Sequence, residues 1–267
     1  MTRSTTMRNN MEQNKRIWKK AAIWAAVLIF WLAVWQLAYR IVGRDLLLAS
    51  PFAVFRRILE LAATAGFWRI IGTSFCRIMA GFLLGVLFGA LLGIVTAGWK
   101  LAYQVLKLPM SIIKATPVAS FVILALIWIS GKNLSTFISF LMVLPMVHQN
   151  VHQGLKSADP LLLEAARSYR LGKLKTAHAV YLPAALPYFL SVCRVAMGFA
   201  WKAGIAGEVI AIPRNTIGTQ LYNAKIYLET TDLFAWTVVV VVLSVAIEKL
   251  FTWLLEGAAR RWGGAGV

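Results

Sequence analysis

The sequence predicts an all-α integral membrane protein with six transmembrane helices, and three observations carry that prediction. Apolar residues make up 60% of the 267, charged residues only 14%, and mean hydropathy is +0.70. Soluble domains hold closer to half apolar and a quarter charged. Several apolar runs reach the roughly 20 residues that cross a bilayer as helix. Finally, Lys and Arg total 28 against 10 Asp and Glu, and they gather in alternate loops, as topogenic charges do on the cytoplasmic side. The net charge of +18 thus has a topological source, and nucleic-acid binding is set aside.

Taken in order, residues 1–20 form a basic segment expected in the cytoplasm. The first span, 21–42, is long, Trp-rich and without a small-residue cleavage site, so it reads as a retained helix rather than a secretory signal. The second, 73–97, contains GFLLGVLFGALLG, with Gly81, Gly85, Gly89 and Gly93 on every fourth residue. That interval puts them on one helix face, where they let a neighbouring backbone approach closely. The neighbour is either another helix of this chain or a second subunit.

The third run, 102–130, is too long for one straight crossing and holds Pro109 and Pro117. It predicts a kink or a short interfacial helix ahead of the crossing. The fourth span, 134–150, ends among Gln149, Asn150 and His152. The fifth and sixth are 184–212 and 233–256, and residues 261–267 are a tail. No linker or repeat divides residues 21–260, which read as one transmembrane domain. The charge bias places both termini in the cytoplasm, together with the loop at about 151–183.

That loop contains LLLEAARSYRLGKLKTAHAVYLP, Leu161 to Pro183, a basic amphipathic stretch in a greasy chain. Asp159-Pro160 signals a helix start, with Ser157 or Asp159 as cap and proline at the first helical position. Leu162, Leu163, Ala166 and Tyr169 then recur at helical spacing. Gly172 interrupts, and Leu174 to Tyr181 forms a second short piece. The shape expected is helix, glycine bend, helix. Such an element is either an interfacial helix or one that inserts an apolar face into a partner's groove.

From Glu164 to Pro183 the stretch resembles the cytoplasmic EAA loop of bacterial ABC importer permeases, the binding-protein-dependent transport family. Glu-Ala-Ala opens that loop, and Leu-Pro closes it nineteen positions later, with Pro187 beyond. LLLASPFAVFRRILEL, KATPVASFVILALIWISG, FAWKAGIAGEVIA and IGTQLYNAKIYLETTDLFAW follow the order of the nitrate/sulfonate/taurine branch. The resemblance implies a permease of the bacterial inner membrane that pairs with a second copy of itself. It implies a coupling helix, formed by Asp159, Pro160, Leu163, Glu164, Ala165, Ala166, Tyr169, Arg170 and Gly172, docked on an ABC ATP-binding subunit. It also implies an extracytoplasmic solute-binding protein, met by external loops around Arg56-Arg57 and Arg214 to Asp232. One departure stands out: where the loop usually has glycine, six residues after the glutamate, this chain has Arg170.

The chain lacks a GxxxxGK[ST] phosphate loop, so ATP and Mg belong to the partner and no cofactor is expected here. No catalytic constellation or metal-ligand spacing appears; Cys76 and Cys193 read as packing residues, and His148, His152 and His178 as solvated or interfacial. Charges within spans are functional candidates. Lys202, Trp201, Glu208 and Arg194 are the candidates for a substrate path favouring an anionic solute. Lys202 alternatively snorkels or pairs with Glu208, and Arg77 and Glu208 read as anchors or gate elements near the external boundary. The branch implies a sulfonate, taurine, nitrate or similar anion; a thiamine precursor or other small aromatic solute is the alternative. A stand-alone secondary transporter or channel is the rival function, and would leave the Glu164 loop without a partner.

Overall fold

The computed structural model describes the backbone of residues 2–261 and the side chains of residues 22–257. Most of the tail expected at 261–267 lies outside that description, as do the side chains of the basic N-terminal segment and of Arg260 and Arg261. The regular elements are helices: α1 Thr2–Val42, α2 Pro51–Ala62, α3 Ala65–Gly98, α4 Lys100–Ala115, α5 Val118–Ala125, α6 Gly131–Lys156, α7 Pro160–Ser168, α8 Lys173–Thr176, α9 Leu182–Ala211, α10 Ile217–Ile226 and α11 Thr230–Arg261. A π-helical turn, Ala177–Tyr181, joins α8 to α9.

Five segments are long and apolar enough to cross a membrane: Ala22–Val42, Ala65–Gly98, Gly131–Lys156, Lys173–Ala211 and Thr230–Gly257. α4 and α5, bent by 104° at a short break, are apolar enough to count as a sixth if the pair is one broken span. The break falls at Thr116-Pro117, where proline disfavours helix in the residue before it. Several boundaries move outward from the sequence reading. α3 begins at Ala65 because Thr64 caps it, its hydroxyl accepting from Phe67 N at 3.3 Å. α6 continues past Gln149, Asn150 and His152 to Lys156, since its polar groups find partners within the bundle; Asn150, for example, donates to Met146 O at 2.9 Å.

α6 lies at the centre. The glycine strip of α3 packs against it along its whole length, and a Cβ on any of the four would collide. At Gly85 it would lie 2.6 Å from Val143 Cβ, at Gly89 2.8 Å from Leu144 O, and at Gly93 2.8 Å from Val151 Cβ; at Gly81 it would strike Thr136 O. The neighbour of the strip is therefore a helix of the same chain. Small residues also set α9 against α6 and α3: Gly154 meets Ala185, Gly204 meets Ile78 and Ser139, and Ser139 Oγ donates to Ala200 O at 3.0 Å. In a bilayer such close approach replaces the hydrophobic drive that water would supply.

α1 and α11 are peripheral, with apolar side chains such as Trp24, Phe30, Val241 and Val242 exposed. Hydrocarbon solvates such faces. At the end opposite α7, Arg57 of α2 makes a two-pronged ion pair with Asp232 of α11, at 2.6 and 2.9 Å. Asp232 raises the Arg57 pKa above its ordinary value, and the pair joins α2 to the start of α11, so Arg56-Arg57 and Asp232, expected in loops, lie on helices.

Candidate functional site

The segment between α6 and α9 is built by local rules. Ser157 closes α6, donating to Gly154 O at 2.8 Å, and Asp159 opens α7, its carboxylate accepting from Leu161 N at 2.8 Å. Asp159 is thus the cap, worth about 1 kcal/mol, and Pro160 occupies the first turn, where its missing N–H costs nothing. α7 has three faces. Leu163 and the buried Ala166 turn inward, Leu163 toward a cavity it shares with Ile94, Leu155 and Tyr181. Glu164 and Arg167 form a polar face, and among the described residues neither makes an ion pair. Leu162, Ala165 and Tyr169, at spacings of three and four, share an exposed apolar face, with Tyr169 80% exposed.

This divides the apolar set expected from the sequence. Ala166, at 4% exposure, is held within the chain and has no surface to offer a partner, whereas Ala165 has. The bend also differs from expectation. Arg170 adopts φ +51°, and Gly172 has φ −64°, so the turn sits at the arginine and not at the glycine. Arg170 N donates to Arg167 O and Leu171 N to Ala166 O, both at 2.9 Å. That pairing is the Schellman closure, with its left-handed residue one past the cap. α8, the π turn and α9 then run on as one rod, with Leu182 N donating five residues back to Ala177 O just before Pro183. Proline lacks the next donor, and π turns are one way a helix absorbs such a gap.

The four membrane-embedded candidates do not line one surface. Lys202 lies on an exposed face of α9 with Ser191, Val195, Phe199 and Ala206. Trp201 faces the interior at 2% exposure, its indole N–H donating to Val240 O at 3.3 Å. Arg194 pairs with Glu256 of α11 at 3.5 Å. Glu208 is fully buried and does not reach Lys202. Its Oε2 accepts from Ser74 Oγ at 2.7 Å and from Gly218 N at 3.2 Å, while Ser74 Oγ accepts from Ile217 N at 2.9 Å. A carboxylate therefore sits at the N-terminus of α10 and ties it to α3 and α9, the favourable end of a helix for negative charge.

Two histidines also escape the solvated reading. His148 is buried, and its Nε2 lies 3.1 Å from Thr96 Oγ1; His152 Nδ1 lies 3.1 Å from the same oxygen, and His152 stacks on Tyr103 with ring centroids 4.5 Å apart. Their four-residue interval is visible in the sequence, but Thr96, over fifty residues away, is not. His178 is exposed, and no group of three or more His, Cys, Asp or Glu among the described residues is placed to hold a metal.

Residues 85–263 match the family described as the binding-protein-dependent transport system inner membrane component. The taurine transport system permease protein TauC of Escherichia coli K12 is 26% identical over 230 residues, covering 84% of this chain and 82% of that protein. The putative aliphatic sulfonates transport permease protein SsuC of the same organism is 28% identical over 236 residues, covering 88% and 89%. The bicarbonate transport system permease protein CmpB of Synechococcus elongatus is 24% identical, covering 73% and 69%. Among solved structures, an amino acid ABC transporter chain superposes with a TM-score of 0.55 at 17% identity, covering 78% of this chain and 96% of that one. The MetNI methionine ABC transporter gives 0.53 at 18%, covering 74% and 94%.

Proposed function

The chain belongs to the binding-protein-dependent transport inner membrane component family, and on that premise we propose how it divides the work of an ABC importer. It is the membrane permease, in the inner membrane with both termini in the cytoplasm, and it works as a pair of identical copies. ATP and Mg are held by a separate ATP-binding subunit, and the solute arrives from an extracytoplasmic binding protein at the end bearing the Arg57–Asp232 pair.

The observation that carries this reading is the face of Leu162, Ala165 and Tyr169. α7 is fixed from below by Leu163 and Ala166, closed at both ends by its own hydrogen bonds, and left with an apolar side that none of the described residues covers. A helix of that kind suits a groove on a partner. Small Ala165 lets the helix backbone approach the groove wall, and Glu164 and Arg167 supply polar contacts at its rim. Closure of the ATP-binding subunits would displace α7 and, through the continuous rod from Lys173 to Ala211, tilt α9.

Lys202 is the best-placed candidate on the solute path, because it alone of the four presents a charge on an uncovered face of α9. A cation there favours a small anion, in keeping with relatives named for taurine, aliphatic sulfonates and bicarbonate. The test is site-directed crosslinking during ATP turnover. Cysteine at Ala165 captures the ATP-binding subunit, and cysteine at the inward-facing Ala166 captures it far less. Absence of capture at Ala165, or accessibility of that site only from outside the cell, overturns the reading.

A further inference from the structure

α4 and α6 contain no Asp or Glu, yet they assemble a densely polar groove. α4 carries Lys100, Lys107 and Lys114 at seven-residue intervals, which sets them on one side of the helix. Ion pairs among the described residues involve Arg56, Arg57 and Arg194, and none of these lysines. Tyr103 stacks on His152, while Lys114, eleven residues later, reaches the amide oxygen of Gln149, only three residues back along α6. α4 therefore advances about 16 Å while its contact on α6 moves about 4.5 Å, so it lies across α6 rather than beside it.

The crossing leaves a cavity of about 290 Å³ walled by Tyr103, Lys107, Lys114, His148, Gln149 and His152. Its geometry is set from behind by Thr96. That hydroxyl lies 3.1 Å from His148 Nε2, from His152 Nδ1 and from Gly93 O, so one oxygen holds both imidazoles against α3. The two rings are thereby fixed as a rigid wall. In front of them stand two ammonium groups, the Tyr103 hydroxyl, and the Gln149 amide N–H groups left free when its oxygen receives Lys114. Lys114 is met only by a neutral amide oxygen, and among the described residues neither ammonium group has a counter-charge. The groove lies toward the C-terminal end of α6, with His152 and His148 about 6 and 12 Å from that end.

We infer that this groove binds a tetrahedral oxyanion of the phosphate or sulfonate class, either as a phospholipid headgroup or as a free anion. Two lysines and an amide meet the oxygens with charge-assisted and neutral hydrogen bonds, and basic pockets at the cytoplasmic ends of membrane helices suit anionic headgroups. The site goes beyond the transport reading, since none of its wall residues belongs to α7 or α9.

The test uses the full-length chain with its ATP-binding partner in neutral detergent and two probes. Radiolabelled inorganic phosphate is followed by equilibrium dialysis, and phosphatidylglycerol retention by native mass spectrometry. Lys107→Gln/Lys114→Gln is compared with Lys173→Gln/Lys175→Gln, which removes equal charge from the same end. All four lysines are exposed, so both variants fold. Phosphate binding weakened tenfold or more only in the first variant identifies a free-anion site. Phosphatidylglycerol lost only from the first variant, without phosphate binding, identifies a headgroup site. If neither probe binds, or both variants lose it equally, the inference is wrong.

Discussion

Arg170→Gly isolates the element on which α7 depends. At φ +51° the arginine stands in the left-handed region, which costs an L-residue roughly 1–2 kcal/mol. Glycine adopts it freely, at a chain-entropy cost of roughly 0.5–1 kcal/mol. The difference leaves Arg170→Gly more stable by about 1 kcal/mol, roughly fivefold in the local opening equilibrium. Gly172→Ala behaves oppositely to a bend glycine. Its φ is −64° and nothing lies within 4 Å of an added Cβ, so alanine is tolerated and the loop stiffens slightly. The readout is amide exchange at Arg170 and Leu171, whose N–H groups close the turn onto Arg167 O and Ala166 O. Both should exchange about fivefold more slowly in Arg170→Gly. Unchanged exchange in Arg170→Gly, or loss of the turn in Gly172→Ala, would show that the bend sits at the glycine after all.

Three further predictions rest on the bundle. Gly85→Leu forces a side chain into Val143 and should destabilise by about 1–3 kcal/mol or more, read as earlier thermal unfolding in detergent; Gly66→Leu, with open space around it, should unfold at the wild-type temperature. Glu208→Ala leaves Ser74 Oγ and Gly218 N without their acceptor in a buried site, a loss of about 1–3 kcal/mol; faster proteolysis of the 212–216 loop registers the freed α10. Lys202→Ala should cut solute uptake into proteoliposomes while leaving assembly and basal ATP hydrolysis intact, and undiminished uptake removes Lys202 from the path.

How much of this was legible depended on whether the determining contact is local in sequence. The glycine strip declared itself because its four-residue period is a property of one helix, and the 104° break because Pro117 acts on the residue before it. Asp159 as cap and α7 as helix followed for the same reason. What stayed hidden depends on tertiary partners. Helical spacing grouped Ala166 with Leu162 and Tyr169, and only the folded chain shows that Ala166 is covered while Ala165 is exposed beside them. Glu208 was a candidate partner for Lys202, but six residues along a helix turn the two side chains about 120° apart, and Ser74 and α10 claim the carboxylate. The turn at Arg170 misled because left-handed backbone is expected at glycine, and here the hydrogen bonds of the Schellman closure hold a residue that disfavours it. The same closure recurs at Leu228, φ +57°, with Glu229 N donating to Ala224 O at 2.9 Å, and Ile212 ends α9 at φ +50°, so three helix ends use a large residue where glycine is usual.

These contacts also constrain how the bundle can move. α3 and α6 touch backbone to side chain at four successive glycines, and interlocked surfaces of that kind have no room to slide by fractions of a turn. α9 is pinned to the same pair at both ends, by Gly154–Ala185 near α7 and by Glu208–Ser74 near α10. A displacement of α7 therefore cannot be absorbed by sliding α9 along α6; it must carry α3, α6 and α9 together. α1 is under no such restraint, touching the rest of the chain through few side chains such as Trp35 on Ala49 and Phe234, whereas α11 is joined to the bundle by the buried Trp236 and Val239, by Trp201 on Val240 O and by the Arg194–Glu256 pair. Motion of this chain during transport is then a rigid tilt of the inner helices, α11 with them, against whatever faces the uncovered side of α9, with α1 following through lipid.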